Sequence, residues 1–309
     1  MRKLFTFIFV SALLFSLAAP AYASDSNVTQ LEPFNEYDYV ELLQTSSPQE
    51  LEEKGLSEQE TTAIISNFES ALLNRASLSD SELRAYGYNN SEISLFHALA
   101  NGETLSSEEL RALGSTCNGS ITRHSCNTKT AEFSYTFTWN RCPLITLSDS
   151  AAMRWIAYSS DGGEIGVEQV SHSLTLEYHF QGNAASSGPA FAHYGSPTIE
   201  PNLDFNTINM QFPVYQTHLS SGTGIIFDCY ARTGTIRVSI RVPNNVSKNI
   251  NHIFVGGLYG HTLVGVGSPS VSVSTGSIGI SFTGNTSIDP IASRKATIYR
   301  ATPVVDYWT

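Results

Sequence analysis

Histidines and carboxylates in the C-terminal two thirds of the chain are the residues that offer chemistry. Glu177 and His179 stand at i, i+2 in "LEYHF" and share one face of a predicted strand. They would make a beginning for a metal site, but zinc sites draw on three or four protein ligands. Asp161 and Glu164 bracket "DGGE" and offer carboxylates to calcium, although Asp-Gly-Gly reads first as a hairpin turn. His193 in "AHYGSP" and His261 in "LYGHT" lie in predicted glycine-bordered loops, where bases are often placed, yet no nucleophile stands beside either. The acids Glu132, Asp149, Glu168, Glu177, Glu200, Asp204 and Asp228 would have to include two at a fixed separation to form a glycosidase pair, and spacing along the chain does not define one. Trp139, Trp155 and Trp308 can stack on sugars, but Trp139 and Trp155 read first as core aromatics. The chain has no G-x-S-x-G, H-E-x-x-H, P-loop or dinucleotide fingerprint. We therefore assign no catalytic residue, cofactor-binding residue or metal ligand from sequence.

The chain begins "MRKLFTFIFVSALLFSLAAPAYASDS". A basic start at Arg2 and Lys3, an apolar run and Ala21-Tyr22-Ala23 fit a secretory signal peptide cleaved before Ser24. A secreted protein is expected, with residues 1–23 removed. Ser24 to Ser115 carries 17 acidic and 4 basic residues, whereas Thr116 to the end carries 11 of each. That shift divides the mature chain into residues 24–115, an acidic helical repeat domain or propeptide, and residues 116–309, a β domain. Neither part has a basic stripe, which excludes a nucleic-acid partner. Cys117, Cys126, Cys142 and Cys229 all follow the boundary. An even count in an exported chain predicts disulfides, with Cys117–Cys126 and Cys142–Cys229 as the preferred pairing.

"SPQELEEKG" (47–55), "SDSELRAYG" (79–87) and "SSEELRALG" (106–114) share the pattern S-x-x-E-L-x-x-x-G. Ser47, Ser79 and Ser106 are N-caps, with Glu50, Glu82 and Glu109 closing capping boxes. Gly55, Gly87 and Gly114 are expected to end each short helix in the left-handed conformation. Ser57 and Asn89 cap second helices, whose apolar stripes read Ala63, Ile64, Phe68, Leu72 and Ile93, Phe96, His97, Ala100. His97 is thus expected as a packed core histidine. From Thr130 the period becomes two. "AEFSYTFTWN" turns Ala131, Phe133, Tyr135, Phe137 and Trp139 inward. "VSHSLTLEYHF" does so for His172, Leu174, Leu176, Tyr178 and Phe180, leaving Glu177 and His179 outward, and "GTIRVSIRV" buries Ile236, Val238, Ile240 and Val242. Other expected strands are "AAMRWIAY", "FNTINMQF", "GIIFDCYA", "NHIFVGGLYGH" and "KATIYR".

"SPSVSVSTGSIGISFTG" (268–284) carries no charge and predicts a hairpin. Its arms are about half the roughly 9–11 residues that a membrane-spanning strand needs, so it is read as an interior wall of a sheet. The expected fold is α+β by segments, an N-terminal bundle of short helices followed by an antiparallel β-sandwich.

"TFTWN" with "SDSAAMRWIAY", followed by "GLYGHT" and the Ser-rich hairpin, resembles uncharacterised exported proteins of Gram-positive bacteria. Phe137, Trp139, Asp149, Met153, Arg154, Trp155, Tyr259, Gly260 and His261 carry the likeness. It implies compartment and layout and no particular activity. The expected function is a non-enzymatic binding module for an extracellular glycan or protein. A membrane-active toxin and an extracellular hydrolase are the alternatives, and no cofactor is expected.

Overall fold

The structure is a computed structural model. It describes residues 28–31, 33–53, 57–180, 191–195, 206–219, 224, 226–262, 270–273, 280–283 and 305–308, those from 191 to 195 and from 270 onward as backbone. Two short strands, β1 (Val28–Gln30) and β2 (Phe34–Asn35), come first. The helices follow: α1 (Glu36–Thr45), α2 (Pro48–Glu53), α3 (Glu58–Ala76), α4 (Asp80–Ala85), α5 (Asn90–Ala100) and α6 (Ser107–Leu113). Thirteen strands complete the order: β3 (Thr116–Cys126), β4 (Thr130–Trp139), β5 (Ser148–Tyr158), β6 (Glu164–Ile165), β7 (Glu168–Phe180), β8 (Phe191–Gly195), β9 (Thr207–Pro213), β10 (Tyr215–Leu219), β11 (Ile226–Arg241), β12 (His252–Gly260), β13 (Ser270–Val273), β14 (Ile280–Thr283) and β15 (Val305–Trp308). The fold is α+β: among the described residues the helices are confined to the N-terminal part and antiparallel sheets dominate the rest. No helix of the described residues is long and apolar enough to cross a membrane.

The capping boxes form as read. Ser79 with Glu82, Asn89 with Glu92 and Ser106 with Glu109 exchange both bonds, and Ser47 exchanges the same pair with Glu50. Glycine behaves less uniformly. Gly87 ends its helix at φ 93°, as expected. Gly114 is extended instead, at φ −64°. The physical reason for glycine there is space, because a Cβ would lie 2.6 Å from Asn35 Oδ1. Gly55 lies outside the described residues.

Ile64, Phe68, Leu72 and Ala76 form one buried stripe on α3, while Ala63 faces solvent. On α5 the stripe is Ile93 and Phe96. His97 corrects the expectation of a packed core histidine: its side chain is 54 % exposed and its Nε2 is 2.8 Å from Asp80 Oδ1. It sits one position past Phe96, which turns it off the narrow buried face.

Two sheets carry most of the strands. An eight-stranded sheet runs β1-β3-β4-β11-β7-β8, with β10 added on β11 and β2 on β3. A five-stranded sheet runs β15-β12-β5-β6, with β9 on β5. Ala131, Phe133, Tyr135, Phe137 and Trp139 are all buried, as period two requires. Phe137 stacks on Phe212 of β9 at 5.4 Å and meets Tyr259 of β12 at 4.5 Å, so residues of the two sheets share one core. "GIIFDCYA" and "GTIRVSIRV" are one strand, β11, which passes from β10 to β4 and carries an irregularity between Ala231 and Thr233. His179, expected on the outward face, is not open to solvent. It is 8 % exposed, covered by Arg232, the extra residue of the β11 irregularity, whose guanidinium lies 3.3 Å from its Nδ1.

All four cysteines are free thiols, which corrects the expected disulfides. Cys117 and Cys126 stand at opposite ends of β3; nine residues of extended chain separate their Cα atoms by roughly 30 Å. The Cys142 and Cys229 thiols lie instead against the Pro143 and Phe227 carbonyls, at 3.6 and 3.7 Å. "KATIYR" lies outside the described residues. The uncharged hairpin pairs as read, Ser270 with Thr283 and Val273 with Ile280. It makes a two-stranded sheet of its own that touches β5 and β12, and it is not a strand pair of either larger sheet.

The helices leave and rejoin the eight-stranded sheet at neighbouring points. Phe34 pairs with Cys117 and Asn35 with Thr116, so α1 to α6 are inserted between two paired strands. Two arginines fasten them to the loop after β4. Arg141 stacks on Tyr88 at 4.3 Å and pairs with Glu92 at 2.9 Å; Arg75 stacks on Tyr86 at 4.0 Å and donates to the Pro143 carbonyl at 3.4 Å.

Candidate functional site: a buried Glu36–His261–Asp149 cluster

His261 follows the last residue of β12, and Asp149 is the second residue of β5, so antiparallel pairing of Gly260 with Ser150 sets them side by side. Nδ1–H of the imidazole donates to Asp149 Oδ2 at 2.9 Å. Nε2–H donates to Glu36 Oε1 at 3.4 Å, across 225 residues of chain. Glu36 opens α1, where the helix dipole already favours a carboxylate. Its oxygens accept from the amides of Ser115 at 2.8 Å, Leu144 at 2.8 Å and Ile145 at 3.2 Å. Asp149 accepts in addition from the Thr262 amide at 2.9 Å and from the Tyr259 hydroxyl. Tyr259 accepts from the Trp139 indole at 2.9 Å, which ties in the other sheet. Trp139 and Phe34 stand edge-on to the imidazole at 5.0 and 6.4 Å.

Every charged member is fully buried. Burial by itself would drive His261 neutral; Asp149 and then Glu36 outweigh it and raise its pKa to about 10. The ring is therefore an imidazolium between two carboxylates. Burial likewise opposes ionisation of Glu36, but His261 and the Leu144 and Ser115 amides hold its pKa below the ordinary value. Tyr259 and Cys117 are pushed well above their usual ranges, by burial first and then by Asp149. Neither can serve as an ionised nucleophile. Both imidazole nitrogens are committed as donors, so His261 has no lone pair for a general base. With no solvent access, the cluster joins elements.

His261 therefore sits just past the end of β12 inside this buried cluster; its signal in sequence was the glycine before it, while Glu36 carried none. The likeness residues Trp139, Asp149, Tyr259 and His261 converge here, and Trp155 packs in the same core against Phe133 at 5.7 Å. The remaining candidates are dispersed. Arg232 lies 3.3 Å from His179 Nδ1, and a guanidinium there opposes a metal cation beside Glu177. Burial, then Arg232, keep the His179 pKa below normal. Asp161 closes a turn at Gly162, φ 78°, and pairs with Lys248 at 2.9 Å, which bears out the turn reading of "DGGE". Glu132 pairs with Arg237 at 2.6 Å and Glu168 with Arg241 at 3.0 Å. Asp228 accepts from the Tyr215 hydroxyl at 2.6 Å. His193 and Trp308 are placed on β8 and β15 as backbone only, while Glu200 and Asp204 lie outside the described residues. Among the described residues, no three His, Cys, Asp or Glu side chains gather as a metal site.

No protein-family model and no curated protein matches the chain. Among solved structures it is similar to one described as "AvmM Catalyzes Macrocyclization in Alchivemycin A Biosynthesis", at 12 % identity over 45 % of this chain and 71 % of that chain, with a TM-score of 0.17. Agreement that low carries no argument about fold or activity.

Proposed function

We propose that the protein is a secreted, non-enzymatic binding module in which the two sheets form a β-sandwich, the helices form a bundle beside it, and the outer face of the eight-stranded sheet engages a glycan. One observation carries this reading. Ser120, Thr136, Thr235 and Thr175 lie in register across β3, β4, β11 and β7, and Asn118, Thr138, Thr233 and Glu177 form the next row on the same face. Thr136 and Thr235 hydroxyls are 3.0 Å apart, and Thr233 donates to Thr138 at 3.4 Å. Such rows repeat at about 4.8 Å across strands and about 6.8 Å along them, a flat lattice of donors and acceptors suited to a polyhydroxylated chain. The rows contain no large apolar residue, so they lack the buried anchors on which protein interfaces depend. The buried cluster supports the non-enzymatic part of the reading, since its acid and base groups are sealed and mutually satisfied.

The test is sedimentation with insoluble polysaccharides, comparing the wild type with Thr136→Val/Thr235→Val, which preserves shape and removes the hydroxyls. Binding lost in the variant supports the reading; binding unchanged in the variant, or no polysaccharide bound, overturns it. A second reading, a membrane-active toxin, draws on the β13–β14 hairpin, which lies on β5 and β12 without joining either larger sheet. Dye release from liposomes by the intact or proteolysed protein would establish it in place of the first.

A further inference from the structure

The helices enclose a cavity of about 440 Å³ between α1, α3, α5 and α6. This falls in the ordinary range of small-molecule sites, roughly 300–1,000 Å³. Val40, Phe68, Leu72 and Leu110 line its apolar part. Val40, Phe68 and Leu72 are among the most buried residues of the helical part, whereas Leu73 at the wall is 52 % exposed, so the cavity opens outward. Glu69 and Glu103 also line it, both on the exposed side. No ion pair of the described residues involves either carboxylate, and no Lys, Arg or His lines the cavity. Tyr37 adds a hydroxyl inside, held only by long 3.3 Å contacts to Gln44 and Ser107, and its ring lies 5.8 Å from that of Phe68.

An apolar chamber with two uncompensated carboxylates at its mouth selects by charge as well as by shape. An anion would be repelled by Glu69 and Glu103 and by the acidic excess of the whole segment. A neutral apolar molecule would fill the floor and leave the mouth charges unanswered. From this complementarity we infer that the helical part is a binding site for a small aliphatic cation, an alkyl chain bearing one ammonium group. The chain lies against Val40, Leu72 and the Tyr37 and Phe68 rings, and the ammonium pairs with Glu69 and Glu103 at the mouth. This site is independent of the sheet face proposed above and uses none of its residues.

The probe is dodecylammonium chloride below its micellar concentration, titrated into the full chain by calorimetry at low salt, with dodecan-1-ol and dodecanoate as chain-matched controls. Saturable one-to-one binding of the ammonium is expected, roughly five- to tenfold tighter than the alcohol, with dodecanoate weakest. Added salt should narrow that preference. Glu69→Gln/Glu103→Gln should bring ammonium and alcohol to equal affinity. Leu105→Trp, on the half-buried wall, should fill the cavity and abolish binding of both, with circular dichroism verifying the fold. If that variant failed to fold, Leu99→Trp would serve the same purpose from α5. Equal affinity for ammonium and alcohol in the wild type, no saturable binding, or binding retained in a folded cavity-filled variant would each overturn the inference.

Discussion

Glu36, His261 and Asp149 are fully buried, and they persist in the core because each answers another and backbone amides answer the rest. Removing one member of such a set leaves an uncompensated buried charge, a loss of about 3–5 kcal/mol. Glu36→Gln should therefore lower stability by that amount in chemical denaturation. The pH dependence follows from the two shifted groups. His261 has its folded pKa raised from 6.5 to about 10, so its contribution is complete below 6.5 and is lost as pH rises towards 10. Glu36 is shifted downward from 4.5, so its contribution is present above 4.5 and is lost as pH falls below it. A melting-temperature profile should be highest between these limits and decline on both sides. His261→Gln should flatten the alkaline decline; an unchanged alkaline limb would show that His261 is not the titrating group. The thiols give a second residue-scale expectation. Burial drives the Cys142 pKa up to about 12 and Cys229 up to about 11, and Cys117 is higher than its ordinary value for the same reason. In a thiol-reagent assay, those three should react only after denaturation, with the half-buried Cys126 reacting first and four thiols counted in total.

Elements are set by local chemistry and then fixed by one another. Asn35 accepts from the Tyr37 amide at 2.9 Å as an N-cap, and its amide nitrogen donates to the Arg111 carbonyl at 3.0 Å and to Thr116 Oγ1 at 3.1 Å. It therefore starts α1, seals the end of α6 and touches β3. Asn89 caps α5 at the surface and makes no such distant bonds in its capping box. Asn89→Ala should cost about 1 kcal/mol, while Asn35→Ala should cost about 2–3 kcal/mol because buried partners are also orphaned. Equal losses in urea unfolding would contradict the joining role of Asn35. The capping boxes were legible in sequence because every partner lies within three residues. The single long β11 was not legible as one strand: Arg232 and Gly234 interrupt the apolar pattern, yet Gly234 is where the Phe137 ring needs the space of a missing side chain.

For the whole molecule, the insertion of the helices between β2 and β3 governs how the parts can separate. β1 and β2 belong to the eight-stranded sheet although they precede the helices, and Glu36 holds the loop at Leu144 and Ile145. Leu113, Gly114 and Ser115 are buried, so a protease has no purchase at the boundary that the charge pattern marks. Mass spectrometry after limited proteolysis should find no early cut there; an early cut followed by release of the helical fragment would identify residues 24–115 as a propeptide. A chain lacking residues 24–115 should be insoluble, since it exposes the β3 edge and strips Glu36, one of two carboxylate partners, from His261.

The sequence by itself determined the caps, the inward face of β4, the burial of Trp139 and Trp155, and the change from helical to strand periodicity near residue 116, because these depend on neighbours within a turn of helix or a few residues of strand. It pointed to Trp139, Asp149, Tyr259 and His261 by likeness without saying what they do together. Only the tertiary structure decided that His261 is sealed between two carboxylates, that the four cysteines stay unpaired, and that the helices carry a cavity. The cluster depends on contacts between residues more than a hundred positions apart, such as Glu36 with His261, and period and propensity carry no information about which distant residue will answer a buried charge.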